Sequence, residues 1–445
     1  VNYIRIVILT GACAVLSLLS QAQGAKPPYR LSLADALQKA MVLNLQVMMA
    51  NARLEQAITR IAQAQSDLLP HLDGAAGGGR QTADLRSQGI NFPFPGFGPQ
   101  IGPFNNFDAR ARVTLSLFDF SAYERFQAAK KGENLSMAEL EKTREDVLAL
   151  VADLFIDAQR KQQTVRLLQT ILQKDRMAFE LSETNLGQGT GTELDSNKLK
   201  SDLDQTRYLY NQAILQAKNA CLDLESALQL PLGAPLVFID EKDFLKALEG
   251  HAINFKSADN ADVALAASQL EAQKAGQKTA YADLFPKITG SADYGRSGES
   301  PAQSSNTYSV GLKATLPIWD GGSQQAGIRE ATAKIKEAQE NLVDAGRRQE
   351  VDIAKARLAI EEADYLREAK AQERRTAQKF LLVAIHSQEI GSATVLELMQ
   401  AKAQLAQAED GYNEAQAAWI MARIDMLHAQ GRLRVIAGGK LTSSP

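Results

Sequence analysis

Two stretches of this chain, residues 121–185 and 323–387, contain no proline, and their only glycines are Gly132 in the first and Gly327 and Gly346 in the second. Proline breaks an α-helix by removing a donor and clashing with the preceding turn, and glycine weakens one through backbone entropy. Runs free of both therefore predict two very long helices. At about 1.5 Å per residue each would reach roughly 100 Å, more than a compact domain holds, so the molecule is expected to be elongated. Apolar side chains recur near every seventh position, as in Ile328, Ile335 and Leu342 and again in Ile353 and Ile360, with alanine at many neighbouring sites. That is the pattern of closely approaching coiled-coil helices. Aromatic residues make up 6% of the chain, low for globular cores and ordinary for helices of this kind.

Each long run is followed by a second helical run. The turns between them hold Gly187, Gly189 and Gly191 in one case and Gly391 in the other, and Thr192 and Thr394 stand where the N-caps of returning helices belong. The returning helices read to about residues 229 and 432.

This similarity is one part of a duplication. At an offset of 216, Asn44, Leu54, Glu55, Asp67, Pro70 and Gly74 meet Asn260, Leu270, Glu271, Asp283, Pro286 and Gly290. At an offset of 202, Gly189, Thr192, Leu203, Tyr210 and Asn211 meet Gly391, Thr394, Leu405, Tyr412 and Asn413. The change of offset places an insertion between Arg80 and Thr114, in a loop rich in Phe, Pro and Gly read over residues 91–107. Each repeat then reads as helix, strand, loop, strand, long helix, turn, helix. The opening helices are expected over residues 32–69 and 259–284. The strands come from period-two alternation. Ala111, Val113, Leu115 and Leu117 alternate with Arg110, Arg112, Thr114 and Ser116; Tyr308, Val310, Leu312, Ala314, Leu316 and Ile318 alternate with polar or small partners. Weaker, glycine-rich strands are expected at 71–82 and 287–296.

Residues 1–24 have the form of a secretory signal: Arg5, then an apolar run from Ile6 to Leu19, then Ala22 and Gly24 at the −3 and −1 positions of a cut. A retained anchor is the alternative, although the run is short for a spanning helix. Past it, Cys221 is the single remaining cysteine, so neither an internal disulfide nor a thiolate metal cluster is expected. The division that follows is 25–230 as the first repeat (β-hairpin 71–119, helical hairpin 121–229), 231–257 as a linking equatorial segment, 258–433 as the second repeat (β-hairpin 287–319, helical hairpin 323–432) and 434–445 as a disordered tail.

Several function classes are disfavoured. A formal net charge of −3 argues against nucleic-acid binding, which needs a clustered positive surface. His71, His251, His386 and His428 are isolated, with no helical pair spaced for zinc. The glycines at 187, 189 and 191 follow a helix rather than a strand and precede no Gly-Lys-Ser/Thr, so they read as an interhelical turn. No catalytic constellation is present and no cofactor is expected. Trp319, near a strand end, reads as an interfacial anchor or as ordinary packing.

No later segment offers about 18 consecutive apolar residues, so an exported chain could cross a membrane only as β-structure. Four strands are too few to close a barrel, which needs about eight for even a filled interior. An open sheet cannot sit in lipid with unpaired edges. Several chains are therefore expected to pool their strands, with the helical hairpins forming a common tube.

At this point nearly the whole chain past residue 24 resembles the TolC-like outer-membrane efflux proteins. The resemblance rests on Leu31-Ser32-Leu33-Ala34-Asp35-Ala36-Leu37, on Leu69-Pro70 and Phe285-Pro286, on Leu316-Pro317-Ile318-Trp319-Asp320-Gly321-Gly322, and on the segments after Gly189 and Gly391. It implies an α+β membrane protein: a homotrimer with a 12-stranded transmembrane β-barrel continued by an α-helical periplasmic barrel. It also implies work with a periplasmic adaptor and an inner-membrane pump of the RND or ABC class. The expected role is the outer-membrane exit duct of a tripartite efflux or type I secretion system, not an enzyme. A soluble periplasmic coiled-coil scaffold or adaptor is the alternative reading.

By the same resemblance, adaptor contacts fall on the turns, at Gln188, Gly189 and Thr190 and at Ile390, Gly391 and Ser392. The carboxylates that narrow the entrance match Asp195 and Glu397. The position one turn further, acidic in well-known members, is Gln400. Positions that hold Arg and Tyr locks in those members are Ala393 and Gln388 here, so a closed entrance must be held differently. In a threefold ring, Glu397 would attract cations.

Overall fold

The computed structural model describes residues 29–84, 100–239, 260–390, 392 and 394–434. The signal at 1–24, most of the tail, Gly391, Ala393 and His251 lie outside the described residues. In chain order the elements are β1 (Tyr29–Leu31), α1 (Leu33–Leu43), α2 (Leu45–Ser66), β2 (His71–Asp84), β3 (Gln100–Asp119), α3 (Phe120–Gly187), α4 (Glu193–Ala227), β4 (Leu236–Phe238), α5 (Ala261–Ala282), β5 (Lys287–Gly298), β6 (Ser304–Thr315), α6 (Ser323–Glu389) and α7 (Val395–Ala429). The chain forms two compact units, one of Ala50–Leu140 with Asp262–Gly346 and one of the remainder.

The first of these units carries a four-stranded antiparallel sheet in the order β2-β3-β5-β6. Its central contact joins the two repeats, since β3 of one pairs with β5 of the other. Directly paired residues point to the same side of a sheet, so the register sorts the faces. Leu72, Val113, Ala292 and Val310 lie in one cross-strand row, and Gly74, Ala111, Tyr294 and Tyr308 lie in the next. One face is thus apolar. The opposite face carries Asp73, Arg112, Asp293 and Ser309 in a single row. β2 and β6 have a strand on one side only.

Two strand limits depart from the sequence expectation. β3 begins at Gln100, so residues 100–107, read as loop, are strand. They alternate poorly, but pairing of Phe104, Asn105 and Asn106 with Gln81, Arg80 and Gly79 satisfies their backbone. β6 ends at Thr315, short of Ile318, because Pro317 has no N–H to continue a ladder.

The other unit holds the ends of α3 and α6, with α1, α4, α7 and a two-stranded parallel sheet of β1 and β4. That sheet gives the segment after residue 230 its structure: Tyr29, Arg30 and Leu31 pair with Leu236, Val237 and Phe238. Phe238 meets Phe155 of α3 edge to face at 5.0 Å, the arrangement favoured by the ring quadrupoles. Residues 240–259 lie outside the described residues. In α7, Ala401, Ala408, Ala415, Ala422 and Ala429 are all buried, one every seventh residue. In α6, Ala356, Ala363, Ala377 and Ala384 are buried in the same heptad register, with Lys370 at the position between the two pairs. A methyl at each heptad position lets helix backbones approach closely. Ile353 and Ile360 pack around Ala356 and Met426.

The expected opening helix over 32–69 is in fact two helices. Ser32 caps α1 by accepting from the Asp35 amide at 3.1 Å. Asn44 then takes an extended conformation, with ψ of 132°, and α2 begins after it. Arg434, expected within the disordered tail, is held in place. Leu433 and Arg434 donate their amides to Glu145 at 3.0 and 3.3 Å, and Arg434 pairs with Glu141.

Candidate functional site

The two interhelical turns, where sequence reasoning put the candidate residues, are built alike. Gly189, with φ of +73°, occupies the left-handed conformation that ends α3. Its amide donates to Leu186 O at 3.0 Å, and Thr190 donates its amide and hydroxyl to Asn185 O at 2.9 and 3.1 Å. Ser392 repeats the device on α6, with amide and hydroxyl on Ser387 O at 2.8 and 3.0 Å. Each hydroxyl thus satisfies a carbonyl left orphaned by the helix end. Gln188, Gly189 and Thr190 are exposed. Ile390 is 67% exposed and Leu194 is 78% exposed, so the turns present apolar side chains to their surroundings.

Asp195 and Glu397 each sit three residues after a capping threonine. Thr192 accepts from the Asp195 amide at 3.1 Å and donates its hydroxyl to the Asp195 carboxylate at 2.6 Å. Thr394 accepts from the Glu397 amide at 3.3 Å, and the Glu397 carboxylate accepts from the Thr394 amide at 2.8 Å. The second pair is a complete capping box. Both carboxylates lie at helix N-termini, where the helix dipole favours negative charge. Both are exposed, and so is Gln400 one turn beyond.

Farther from the first turn, Asp175 of α3 accepts from the hydroxyl of Thr206 on α4 at 2.8 Å. Burial, with Asp202 nearby, raises its carboxyl above the usual range. Burial and then Lys174 lower the Lys402 ammonium on α7.

The sheet unit carries groups to which sequence reasoning assigned no role. Arg110 bridges Asp108 at 2.6 Å and Asp293 of the neighbouring strand at 2.9 Å, and Ser309 donates to Asp293 at 2.7 Å. This network links β3, β5 and β6 on the polar face. Gly295 faces Arg110 in the register, and a Cβ there would lie 2.3 Å from Ala109 O, so the close strand approach excludes a side chain. The alternation of Arg110 and Arg112 was the available signal; their partner Asp293 lies on a strand too glycine-rich to be read by pattern.

On the other face, Tyr308 and Val310 are 79% exposed and Leu312 is 75% exposed. Trp319, just beyond β6, is 87% exposed, which removes packing within the chain as its explanation. No described helix is long and apolar enough to cross a membrane.

A family model described as outer membrane efflux protein matches residues 36–229 and 256–432. The alkaline protease secretion protein AprF of Pseudomonas aeruginosa is 22% identical, covering 92% of this chain and 85% of that one. The pyoverdine export outer membrane protein OpmQ of the same species is 24% identical, over 89% of this chain and 84% of that one. Among solved structures, the Campylobacter jejuni CmeC outer membrane channel shares the fold with a TM-score of 0.75 at 17% identity, over 93% of this chain and 87% of that one.

Proposed function

Because the chain belongs to the outer membrane efflux protein family, an outer-membrane family of channels rather than enzymes, we propose that three copies assemble into one exit duct. The observation that carries this reading is the four-stranded sheet with an exposed apolar face and two edge strands open on one side. Such a sheet is unstable in water as an isolated surface and impossible in lipid with its edges unpaired. Pairing β6 of one copy with β2 of the next removes every edge. Three copies then close a barrel of 12 strands, its apolar face toward lipid and its row of Asp73, Arg112, Asp293 and Ser309 toward the lumen. Trp319 and Ile318 would lie at the membrane–water boundary, where indole rings are favoured.

The helices continue the duct into the periplasm. The two turns are its far end, and exposed Ile390 and Leu194 beside Gln188, Gly189, Thr190, Gly391 and Ser392 are the surface offered to a periplasmic adaptor. Asp195, Glu397 and Gln400 line the entrance, where rings of carboxylate select for cations. An inner-membrane pump of the RND or ABC class supplies the cargo. Protein export, the role in AprF's name, and small-molecule export, the role in OpmQ's, fit this architecture equally.

The test is the oligomeric mass after cross-linking in intact membranes and extraction in mild detergent. A trimer in the outer-membrane fraction is expected. A monomer or dimer released without detergent would sink the duct and restore the soluble coiled-coil scaffold.

A further inference from the structure

The two helical hairpins use equivalent positions to meet their partners, and at one level they differ. The offset of 202 relating α4 to α7 carries Ala217 onto Trp419 and Cys221 onto Arg423, and in the long helices it carries Gln162 onto Asp364 and Val165 onto Arg367. The contacts agree with this alignment. Gln162 Nε2 reaches Cys221 Sγ at 3.6 Å, and in the same place Arg423 donates to Asp364 at 3.0 Å.

In the second repeat an indole fills the space. Trp419 is 1% exposed, lies between the guanidinium groups of Arg367 and Arg423 at 4.1 and 3.9 Å from its ring centre, and donates Nε1–H to Asp364 at 2.7 Å. In the first repeat Ala217, Cys221 and Val165 replace Trp419, Arg423 and Arg367 with smaller side chains, and a cavity of about 530 Å³ stands open. Ala217, Cys221 and Leu222 of α4, Val165 of α3 and Leu236 of β4 give it a mostly apolar interior, and the buried Glu225 carboxylate in its wall accepts the Gly233 amide at 2.6 Å. Arg166 and Lys218 stand exposed at its mouth, and neither forms a salt bridge among the described residues.

We propose that this cavity binds a small planar aromatic anion, its ring seated where the other repeat seats Trp419 and its negative group held by Arg166 and Lys218. The volume lies within the range of small-molecule sites, as does a mostly apolar lining with a few polar groups. The ring gains burial against the aliphatic wall, and the two cations exchange the hydration of its negative group for charge-assisted hydrogen bonds. The site lies within one helical unit and does not depend on the duct reading.

Cys221 reports on the cavity directly. With Cys13 replaced by Ser it is the chain's single thiol. Burial pushes that thiol up, which lowers its thiolate fraction and slows alkylation. Indole-3-acetate is the probe, applied to the full chain in detergent. Alkylation of Cys221 by N-ethylmaleimide is expected to slow with saturation, about tenfold at ten times the dissociation constant. Equilibrium dialysis is expected to retain one probe per protomer in the wild type and none in Ala217→Trp, which gives the first repeat the indole of the second. Replacing Arg166 and Lys218 by Gln is expected to weaken indole-3-acetate and leave indole itself unchanged. Unchanged alkylation with no retained probe overturns the proposal. So does a Cys221 already unreactive in the intact oligomer, which would mean that another chain covers the cavity. Equal binding of indole and indole-3-acetate overturns the anion assignment.

Discussion

Asn44 donates its side-chain amide to the main-chain carbonyl of Ala227, the last residue of α4, at 2.9 Å. Asn260, its counterpart in the second repeat, does the same to Ala429, the last residue of α7, at 2.8 Å. Each returning helix therefore ends on an asparagine supplied from the start of its own repeat, and a carbonyl orphaned by the helix end finds a donor. Asn44 also accepts from the Gln46 amide at 2.8 Å, which fixes the break between α1 and α2. Both asparagines are buried. Asn44→Ala removes two such bonds and is expected to cost about 2 kcal/mol. Asn260→Ala loses the bond to Ala429, which by the same measure contributes about 1 kcal/mol on its own. Thermal unfolding of the helical circular-dichroism signal in detergent checks both; equal and negligible effects would remove the asparagine from the account of the helix ends.

The capping box at Thr394 separates two roles of Glu397. Glu397→Gln keeps an oxygen for the Thr394 amide and removes the charge; Glu397→Ala removes both. If Glu397 lines the entrance, both variants lower the cation preference of single-channel current by a similar factor. Only Glu397→Ala and Thr394→Ala should also destabilise the start of α7, by about 1 kcal/mol each. Unchanged ion selectivity in Glu397→Gln would leave the carboxylate a helix cap and nothing more.

The assignment of sheet faces makes a prediction about neighbouring residues. Leu312→Lys places a charge on the apolar face and Ser309→Lys places one on the polar face, a few residues apart on one strand. A lysine facing lipid near the middle of the bilayer costs about 2–4 kcal/mol, whereas one facing water in the lumen costs little. Loss of the heat-resistant oligomer on gels in Leu312→Lys, with its retention in Ser309→Lys, is the expected outcome; the reverse pattern would turn the sheet inside out.

Much of the fold could be read before any coordinates. The long helices, expected over 121–185 and 323–387, run over Phe120–Gly187 and Ser323–Glu389, because the absence of proline is a local property. What escaped was set by contacts distant in sequence. The break at Asn44 depends on Ala227, and nothing in the run around it marks a helix end. Strand 100–107 is held by β2 rather than by its own alternation. β1 and β4 are three residues each, too short for any periodicity, and exist only as each other's partners. At the candidate entrance, the Thr-x-x-Glu spacing carries two readings at once, a capping box and a pore carboxylate. The 202-residue offset sets Ala217 against Trp419 in the sequence, but the cavity beside Ala217 depends on α3 and β4 packing around α4, which no pattern in the sequence marks.

The pair of Asp146 and His428 gives a pH dependence with a definite sign. His428 Nε2 lies 3.3 Å from Asp146, and Lys142 lies 3.2 Å from it. The bond to His428, aided by Lys142, holds the Asp146 carboxyl below its usual range. A folded value below the unfolded one stabilises the protein above the unfolded pKa and is lost as pH falls through the folded one. Burial raises Asp425 and Glu145 nearby; their contributions are present at low pH and lost as pH rises. The comparison that isolates Asp146 is therefore wild type against Asp146→Asn. The pair is about half exposed, so the gap should be no more than about 0.5 kcal/mol at neutral pH and should close as pH falls below the usual aspartate range. A gap that persists at the acid end would place its origin elsewhere.

Trp419 tests how much of the second hairpin rests on one side chain. Its ring is fully buried between two guanidinium groups and its N–H reaches Asp364, to which Arg423 also donates. Trp419→Ala empties the site, leaves the two arginines facing a void and is expected to cost about 3–5 kcal/mol. Trp419→Phe keeps an aromatic face for both cations and loses the bond to the carboxylate. Hydrogen bonds to charged groups contribute about 1.5–3 kcal/mol, so Phe should recover the rest of the loss and no more. The same two substitutions have no analogue in the first repeat, where Ala217 already holds the truncated state. If Trp419→Ala is tolerated as well as Ala217 is, the second hairpin does not need its indole, and the difference between the repeats is one of ligand occupancy alone. A large loss in Trp419→Ala with partial rescue by Phe would instead mean that the second hairpin rests on its indole as well as on the bond to Asp364.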